Sequence, residues 1–444
     1  MLAAALLLAA CGIAAAEQDA RRMDTAADAD EWIAVFLGEH PEDLEGAWMM
    51  SDQMEKAVAQ MGGISGFAKQ LSSLGTVREV GSAREEELKG YKAFFVPCVF
   101  EAMSLDIVLV TDDGVIAGLQ TGTYSGGGGE EAESDLFDRI DLALPVPSLN
   151  GELPGVLTVP KGEGPFPVVI LIHGSGPNDR DETVGSLKPF KDLAEGLAEQ
   201  GIAVYRFDKR SYVYGKELMN DRQITLMGES VEDAVNAVQL VAAQEKIDPS
   251  QIYVLGHSLG GNAVPAIARE LESAPVKACG FIMMAASPRP LDVLVREQYE
   301  FLFSLLPEIT PELQEEMDAA FAELDKLQDL DSLTDDDMIM GVYAPYWKWL
   351  ASYDILQAAE EITQPVLLLQ GEEDYQVTMV DFGLWKDAFG GRDNWRFISY
   401  PGLTHPFTAG QKTEGPDAYT REEHVDVQVI EDIVSFIRET GADR

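Results

Sequence analysis

Gly256-His257-Ser258-Leu259-Gly260 is the stretch on which the reading of the chain turns. An apolar run, Ile252-Tyr253-Val254-Leu255, leads into it, and a helical pattern from Asn262 to Glu270 follows. Strand, G-x-S-x-G and helix in that order are the setting of a nucleophile elbow. A side chain that must leave the end of a sheet and face a substrate needs a very sharp turn. Sharp turns crowd Cβ atoms, so the flanking positions are glycine. Ser258 is then expected at the apex with strained backbone angles. The helix after it points free N–H groups at the reaction centre. Alone, the pentapeptide also reads as an ordinary glycine-rich strand-to-helix loop, and two later stretches decide between the readings.

The first is Pro365-Val366-Leu367-Leu368-Leu369-Gln370-Gly371-Glu372-Glu373-Asp374, an apolar strand running into a turn that ends in an acid. The second is Phe397-Ile398-Ser399-Tyr400-Pro401-Gly402-Leu403-Thr404-His405, a strand-like run entering a loop that ends in a histidine. The order is Ser258, Asp374, His405. On these motifs the sequence resembles the α/β-hydrolase family, over roughly residues 137–440. The resemblance implies a mostly parallel central sheet and a catalytic triad of Ser258, Asp374 and His405. It also implies an oxyanion hole from Leu259 N–H and the loop His173-Gly174-Ser175-Gly176-Pro177. By position Ser175 N–H is the expected second donor, with Gly174 as the alternative. His173 is expected to shape that loop rather than act as a base.

Asn178-Asp179-Arg180-Asp181-Glu182 extends the resemblance to secreted esterases and to S33-like, peptidase-type hydrolases. Arg180 is a candidate anchor for a substrate carboxylate; pairing with Asp179 or Asp208 is its structural alternative. Asp208-Lys209-Arg210-Ser211 is similar to the family's D-K-R-G stretch, with Ser211 in place of glycine. Residues 287–359 break the strand–helix alternation and read as helical and acidic, with helices expected at 291–306, 311–327 and 335–359. An insertion here implies a cap. Its aromatic residues, Tyr343 and Trp347 among them, either line an acyl pocket or form the core of the cap itself.

Residues 1–16 open on an apolar run too short to span a bilayer as a helix, and it reads as the core of a secretory signal. Leu8-Ala9-Ala10-Cys11 resembles a bacterial lipobox, which implies Cys11 as the lipid-bearing first residue of a membrane-anchored protein. No Lys or Arg precedes the run, a departure that a start codon farther upstream would explain. A plain signal cleaved after Ala14-Ala15-Ala16, giving a secreted or periplasmic protein, is the alternative. Residues 25–122 read as a small α+β domain: a helical stretch over 28–59, a second over 66–74, then an antiparallel meander with a hairpin at Asp112-Asp113-Gly114. Its arrangement is similar to the DUF3887 domain that precedes some bacterial hydrolases. A Gly/Glu linker over 123–136 separates it from the hydrolase domain at 137–444.

The chain of 444 residues carries a formal net charge of −45, which argues against a nucleic-acid partner and against polyanionic substrates. With Cys11 set aside, Cys98 and Cys279 fall in different domains, so no disulfide framework and no metal cluster is expected. The fold class is therefore α/β: a hydrolase fold with a helical cap, preceded by a small α+β domain. The resemblance implies an extracytoplasmic serine hydrolase that cleaves a carboxylic ester through an acyl-enzyme, with no cofactor. A peptidase or amidase of the same fold is the alternative. A non-catalytic binding lipoprotein is a third reading, and the intact Ser258, Asp374 and His405 oppose it. The sequence carries no signature of oligomeric state.

Overall fold

The computed structural model describes residues 20–38, 40–71, 74, 76–88, 91–100, 104–123, 134–218, 220–306 and 309–442. The apolar N-terminal run with Cys11 and most of the Gly/Glu stretch lie outside the described residues. The chain divides into two units between Ala132 and Glu133.

In the first unit, α1 (Ala26–Phe36) begins at Thr25, whose side chain takes the Asp28 N–H while Asp28 reaches back to the Thr25 N–H. This reciprocal cap satisfies donors a helix start leaves free. The helix buries Trp32, Ile33 and Phe36 on one face. The helix expected over 28–59 is broken. Pro41 opens a 3-10 turn (Pro41–Leu44), and α2 (Asp52–Gln60) starts afresh from a Ser51 cap. Proline lacks the N–H and pushes its predecessor out of helical angles. After α3 (Ile64–Leu71) come β1 (Val77–Val80), β2 (Arg84–Leu88), β3 (Tyr91–Phe100), β4 (Ser104–Asp112) and β5 (Val115–Thr123). They form an antiparallel sheet in the order β1-β3-β4-β5, with β2 also on β3. The turn at Asp113-Gly114 has positive φ at both residues, 47° and 74°. This is the two-residue hairpin geometry the sequence signals. His40 is exposed beside Glu42, and Cys98 is a buried strand residue.

The second unit opens with β6 (Phe137–Asp141), the hairpin β7 (Leu144–Val146) and β8 (Gly151–Leu153), and β9 (Gly155–Pro160). Then follow β10 (Phe166–Ile172), α4 (Pro189–Glu199), β11 (Ala203–Phe207), the short α5 (Arg210–Val213) and α6 (Gly215–Leu218), α7 (Glu232–Ala242), β12 (Ile247–His257), α8 (Leu259–Glu272) and β13 (Gly280–Met284). The cap holds α9 (Leu291–Ser304), α10 (Pro311–Asp325), β14 (Met338–Ile339), β15 (Val342–Tyr343), α11 (Ala344–Ser352) and α12 (Ile355–Glu360). The chain ends with β16 (Val366–Gly371), α13 (Met379–Phe389), β17 (Trp395–Tyr400) and α14 (Val427–Ala442). The sheet order is β17-β16-β13-β12-β10-β11-β9-β6. All pairs from β17 to β11 are parallel; β9 and β6 are antiparallel.

The apolar runs of the central strands are explained by burial on both faces. Val168, Ile170, Val254, Met283 and Leu368 point to one core, under α7, α8 and α13. Their neighbours Val169, Leu171, Leu255, Met284 and Leu369 point to the other, under α4 and α14. Each such side chain contributes roughly 1.5–3 kcal/mol, so a charge at Leu368 would disrupt the sheet. The connection from β10 leaves to β11 on one side, and that from β12 leaves to β13 on the other. Such a reversal opens a crevice at the C-terminal ends of the strands. In the cap, the helix expected over 335–359 is corrected. Met338–Tyr343 is a small hairpin turning at Met340 and Gly341, both at positive φ, and only α11 and α12 are helical.

Candidate active site

Ser258 follows β12 directly, with φ 55° and ψ −120°. That is a strained conformation for a residue with a Cβ. Its N–H donates to Met284 C=O at 2.8 Å and its C=O accepts from Asn262 at 3.1 Å, so both neighbours over-determine the turn. The glycines are sterically required. A Cβ on Gly256 would lie 2.6 Å from Gly261 N, and one on Gly260 would lie 2.6 Å from the His173 carbonyl oxygen. A methyl on Gly174 would lie 3.1 Å from Ser258 Cβ, so the loop after β10 packs directly against the elbow. Among the described residues neither Ser175 N–H nor Leu259 N–H donates to a protein acceptor.

On the other side, β16 and β17 deliver Asp374 and His405, both buried. His405 Nδ1 lies 2.6 Å from Asp374 Oδ2. The carboxylate also accepts from Gln376 N–H at 2.7 Å, Val377 N–H at 2.9 Å and the Gln370 side-chain amide at 3.1 Å. Gly371 lets the two loops meet: a Cβ there would lie 2.6 Å from the Thr404 carbonyl oxygen. His257 Nε2 lies 3.0 Å from the His405 carbonyl oxygen, and the two rings stand 4.7 Å apart. The residue before Ser258 is thus tied to the backbone of His405. The structure brings Ser258, Asp374, His405, Gly174 and Leu259 to one end of the sheet.

Residues 165–409 match the family described as serine aminopeptidase, S33. The chain is also 33% identical to "Esterase EstD" of Thermotoga maritima over 401 residues, 89% of this chain and 92% of that protein. The chain belongs to the α/β-hydrolase family. Dipeptidyl aminopeptidase BIII of Pseudoxanthomonas mexicana is 24% identical over 262 residues, 59% of this chain and 33% of that protein. Among solved structures, Est1E from Butyrivibrio proteoclasticus aligns with a TM-score of 0.43 at 18% identity, covering 68% of this chain and 99% of that one.

Several further side chains of this hydrolase were candidates from the sequence. Arg180 pairs with Asp208. Its Nε and one terminal nitrogen each bond Asp208 at 3.0 Å, and its N–H bonds Asp208 at 2.8 Å. A fork held in this way ties two loops together. Trp347 is buried in the core of the cap with Ile339 and Ala344, and its indole N–H donates to Ile339 C=O at 3.1 Å. Both contacts are the structural alternatives that the sequence offers for these residues. Tyr343 is half-buried on the cap hairpin, paired with Met338. His173 packs between Phe190 and Phe207, and burial pushes its pKa down to about 4, so it is neutral at pH 7.

Two buried charged groups, Glu182 and Lys209, and the half-buried Glu229 were not singled out by the sequence. Glu182, at φ 52°, accepts the Gly174 N–H at 2.6 Å and stands 2.8 Å from His257 Nδ1 as an ion pair off the hydrogen-bond line. Burial pulls the His257 pKa down, but Glu182 outweighs it and holds the value above the ordinary one. Burial likewise acts to raise Glu182, and His257 keeps it below the ordinary carboxylate value. Lys209 is buried 3.0 Å from Glu229. The D-R-D-E and D-K-R stretches were visible; which charges they pair with was not, because the partners lie on other elements.

Proposed function

We propose that this hydrolase cleaves carboxylic esters through an acyl-enzyme on Ser258. The observation that carries the reading is the 2.6 Å contact of His405 Nδ1 with a buried Asp374 that three other N–H groups hold in place. With Nδ1–H donating to Asp374, the other ring nitrogen is free to take the Ser258 proton during attack. Resting contacts between nucleophile and base are commonly open and tighten when substrate binds. The oxyanion receives Leu259 N–H and Ser175 N–H. Glu182 already occupies Gly174 N–H, which favours Ser175 as the second donor. Water then attacks the acyl-enzyme with His405 as base again. The identity to an esterase along most of both chains supports an ester substrate.

The description of the matching family favours a second reading, an aminopeptidase. That activity needs an acid presented to a substrate ammonium. The carboxylates on the oxyanion side, the buried Glu182 and the half-buried Glu229, are paired with His257 and Lys209. This favours the ester. The test is turnover of p-nitrophenyl esters from acetyl to long acyl chains beside aminoacyl p-nitroanilides, with Ser258→Ala as the control. Ester turnover that survives in Ser258→Ala, or anilide turnover exceeding ester turnover, would sink the reading. We also carry forward export and lipidation at Cys11, checked by labelled palmitate incorporation that Cys11→Ser should abolish.

A further inference from the structure

A lysine is costly to bury unless its charge is matched and its three N–H donors are used. Lys209 meets both conditions. Its Nζ donates to Gly174 C=O at 2.8 Å and to Gly176 C=O at 3.1 Å, and it pairs with Glu229 at 3.0 Å. Glu229 sits in a π-turn (Met227–Val231) ahead of α7, and its other oxygen accepts the Tyr346 hydroxyl at 2.7 Å. Burial works to raise the Glu229 pKa, but Lys209 and Tyr346 hold it below the ordinary value.

The carbonyl that Lys209 touches belongs to the same peptide unit as Ser175 N–H. In a trans peptide the C=O and N–H point in opposite directions in one plane. A cation bonded to the oxygen therefore fixes where the N–H points. It also draws electron density toward the oxygen and makes the N–H a stronger donor. The preceding peptide is fixed as well, through Gly174 N–H on Glu182. Simple closure of the loop does not need a charge. The Asn178 amide nitrogen already lies 3.2–3.3 Å from the carbonyls of Gly174, Ser175 and Gly176.

We propose that Lys209 is a positioning residue of the oxyanion hole, fixing and polarising the Gly174–Ser175 peptide so that Ser175 N–H meets the developing oxyanion. This rests on the serine hydrolase reading above.

The test uses the full chain. Lys209→Met removes the ammonium at similar length. Lys209→Met with Glu229→Gln removes the stranded carboxylate too, and Lys209→Gln keeps a neutral donor. Each is read for kcat and KM on p-nitrophenyl butyrate and for inhibition by an alkyl trifluoromethyl ketone, whose Ser258 adduct places an oxyanion in the hole. Both methionine variants are expected to lose about 30- to 100-fold in kcat, short of the ~10²–10³ for losing an oxyanion donor itself, with KM within about 2-fold. Ketone affinity should fall in step with kcat/KM, and Lys209→Gln should lie between wild type and the methionine variants. Folded variants that keep both kcat and ketone affinity within about 3-fold of wild type overturn the role of Lys209 alone. So does a loss of kcat/KM with ketone affinity unchanged. If a fluorophosphonate fails to label Ser258 in the wild-type chain, the serine hydrolase reading falls, and this one with it.

Discussion

The two sides of Ser258 are held by different physics. On the acid–base side, Asp374 is fixed by two backbone N–H groups and a neutral glutamine amide. On the proposed oxyanion side, the loop after β10 is fixed by Glu182 with His257 and by Lys209 with Glu229, all buried but the half-buried Glu229. The contrast fits the work each side does. In the proposed mechanism His405 gains and loses a proton in every turnover, and the groups that hold Asp374 beside it are neutral donors. The oxyanion loop never changes charge, so fixed ions can brace it. Buried pairs add little net stability, but removing one partner is costly. They act here as braces of geometry.

The largest effect expected lies on the acid–base side. Asp374→Asn should lower kcat about 10⁴-fold, and Ser258→Ala at least as much, while circular dichroism stays native. An Asp374→Asn enzyme within tenfold of wild type would mean that another acid serves His405, and the contrast would lose one of its terms.

Glu182→Gln should cost about 3 kcal/mol in urea melts, because it strands His257 without its partner. The effect is pH-dependent with a worked sign. His257 has a raised folded pKa, so its contribution is complete below its ordinary value of 6.5 and fades as pH rises through the raised one. Glu182 has a lowered folded pKa, so its contribution is in place above 4.5 and fades as pH falls through the lowered one. The gap between variant and wild type should therefore be widest between pH 4.5 and 6.5. A gap of constant size across pH 4–9 would show that the pair is not ionic, and the two sides would then be alike.

Ser258→Gly should abolish turnover yet raise stability by about 1–2 kcal/mol, since glycine relieves the strain at φ 55°. A loss of stability would show that the hydroxyl holds the elbow. The smallest effect is expected at Arg180. Arg180→Lys should cost about 1 kcal/mol by losing the fork on Asp208, with KM changed less than about 2-fold. A tenfold rise in KM would make the oxyanion side a binding surface as well as a brace.

Before His405, β17 is a half-buried edge strand with Arg396 and Ser399, and it was read from its place in the motif order. The approach to Asp374 was legible because it follows the apolar run of β16, buried throughout. The parallel core was legible for the same reason. The oxyanion brace was not. Glu182, Lys209 and Glu229 share no period, and a glutamate carries no contrast in a chain of net charge −45. Strand β2 was missed because its Arg-Glu-Glu-Glu run lacks an apolar face, and Arg84, Glu85 and Glu86 are exposed where it pairs along β3. The cap hairpin was missed because Met340-Gly341 is not a common turn pair, yet Glu323 bonds the Met340 N–H at 2.8 Å and steadies it.

The Tyr346 hydroxyl reaches out of the cap to Glu229, one bond away from Lys209. Caps are attractive modules for building chimaeras, and the chain crossings near Ser287 and Ala359 look like natural seams. The true seam includes this hydroxyl. A transplanted cap without it would take one donor from a half-buried carboxylate, at a cost of about 1 kcal/mol. Chimaera libraries that retain a tyrosine at this place should therefore yield more folded clones than libraries joined at the crossings alone.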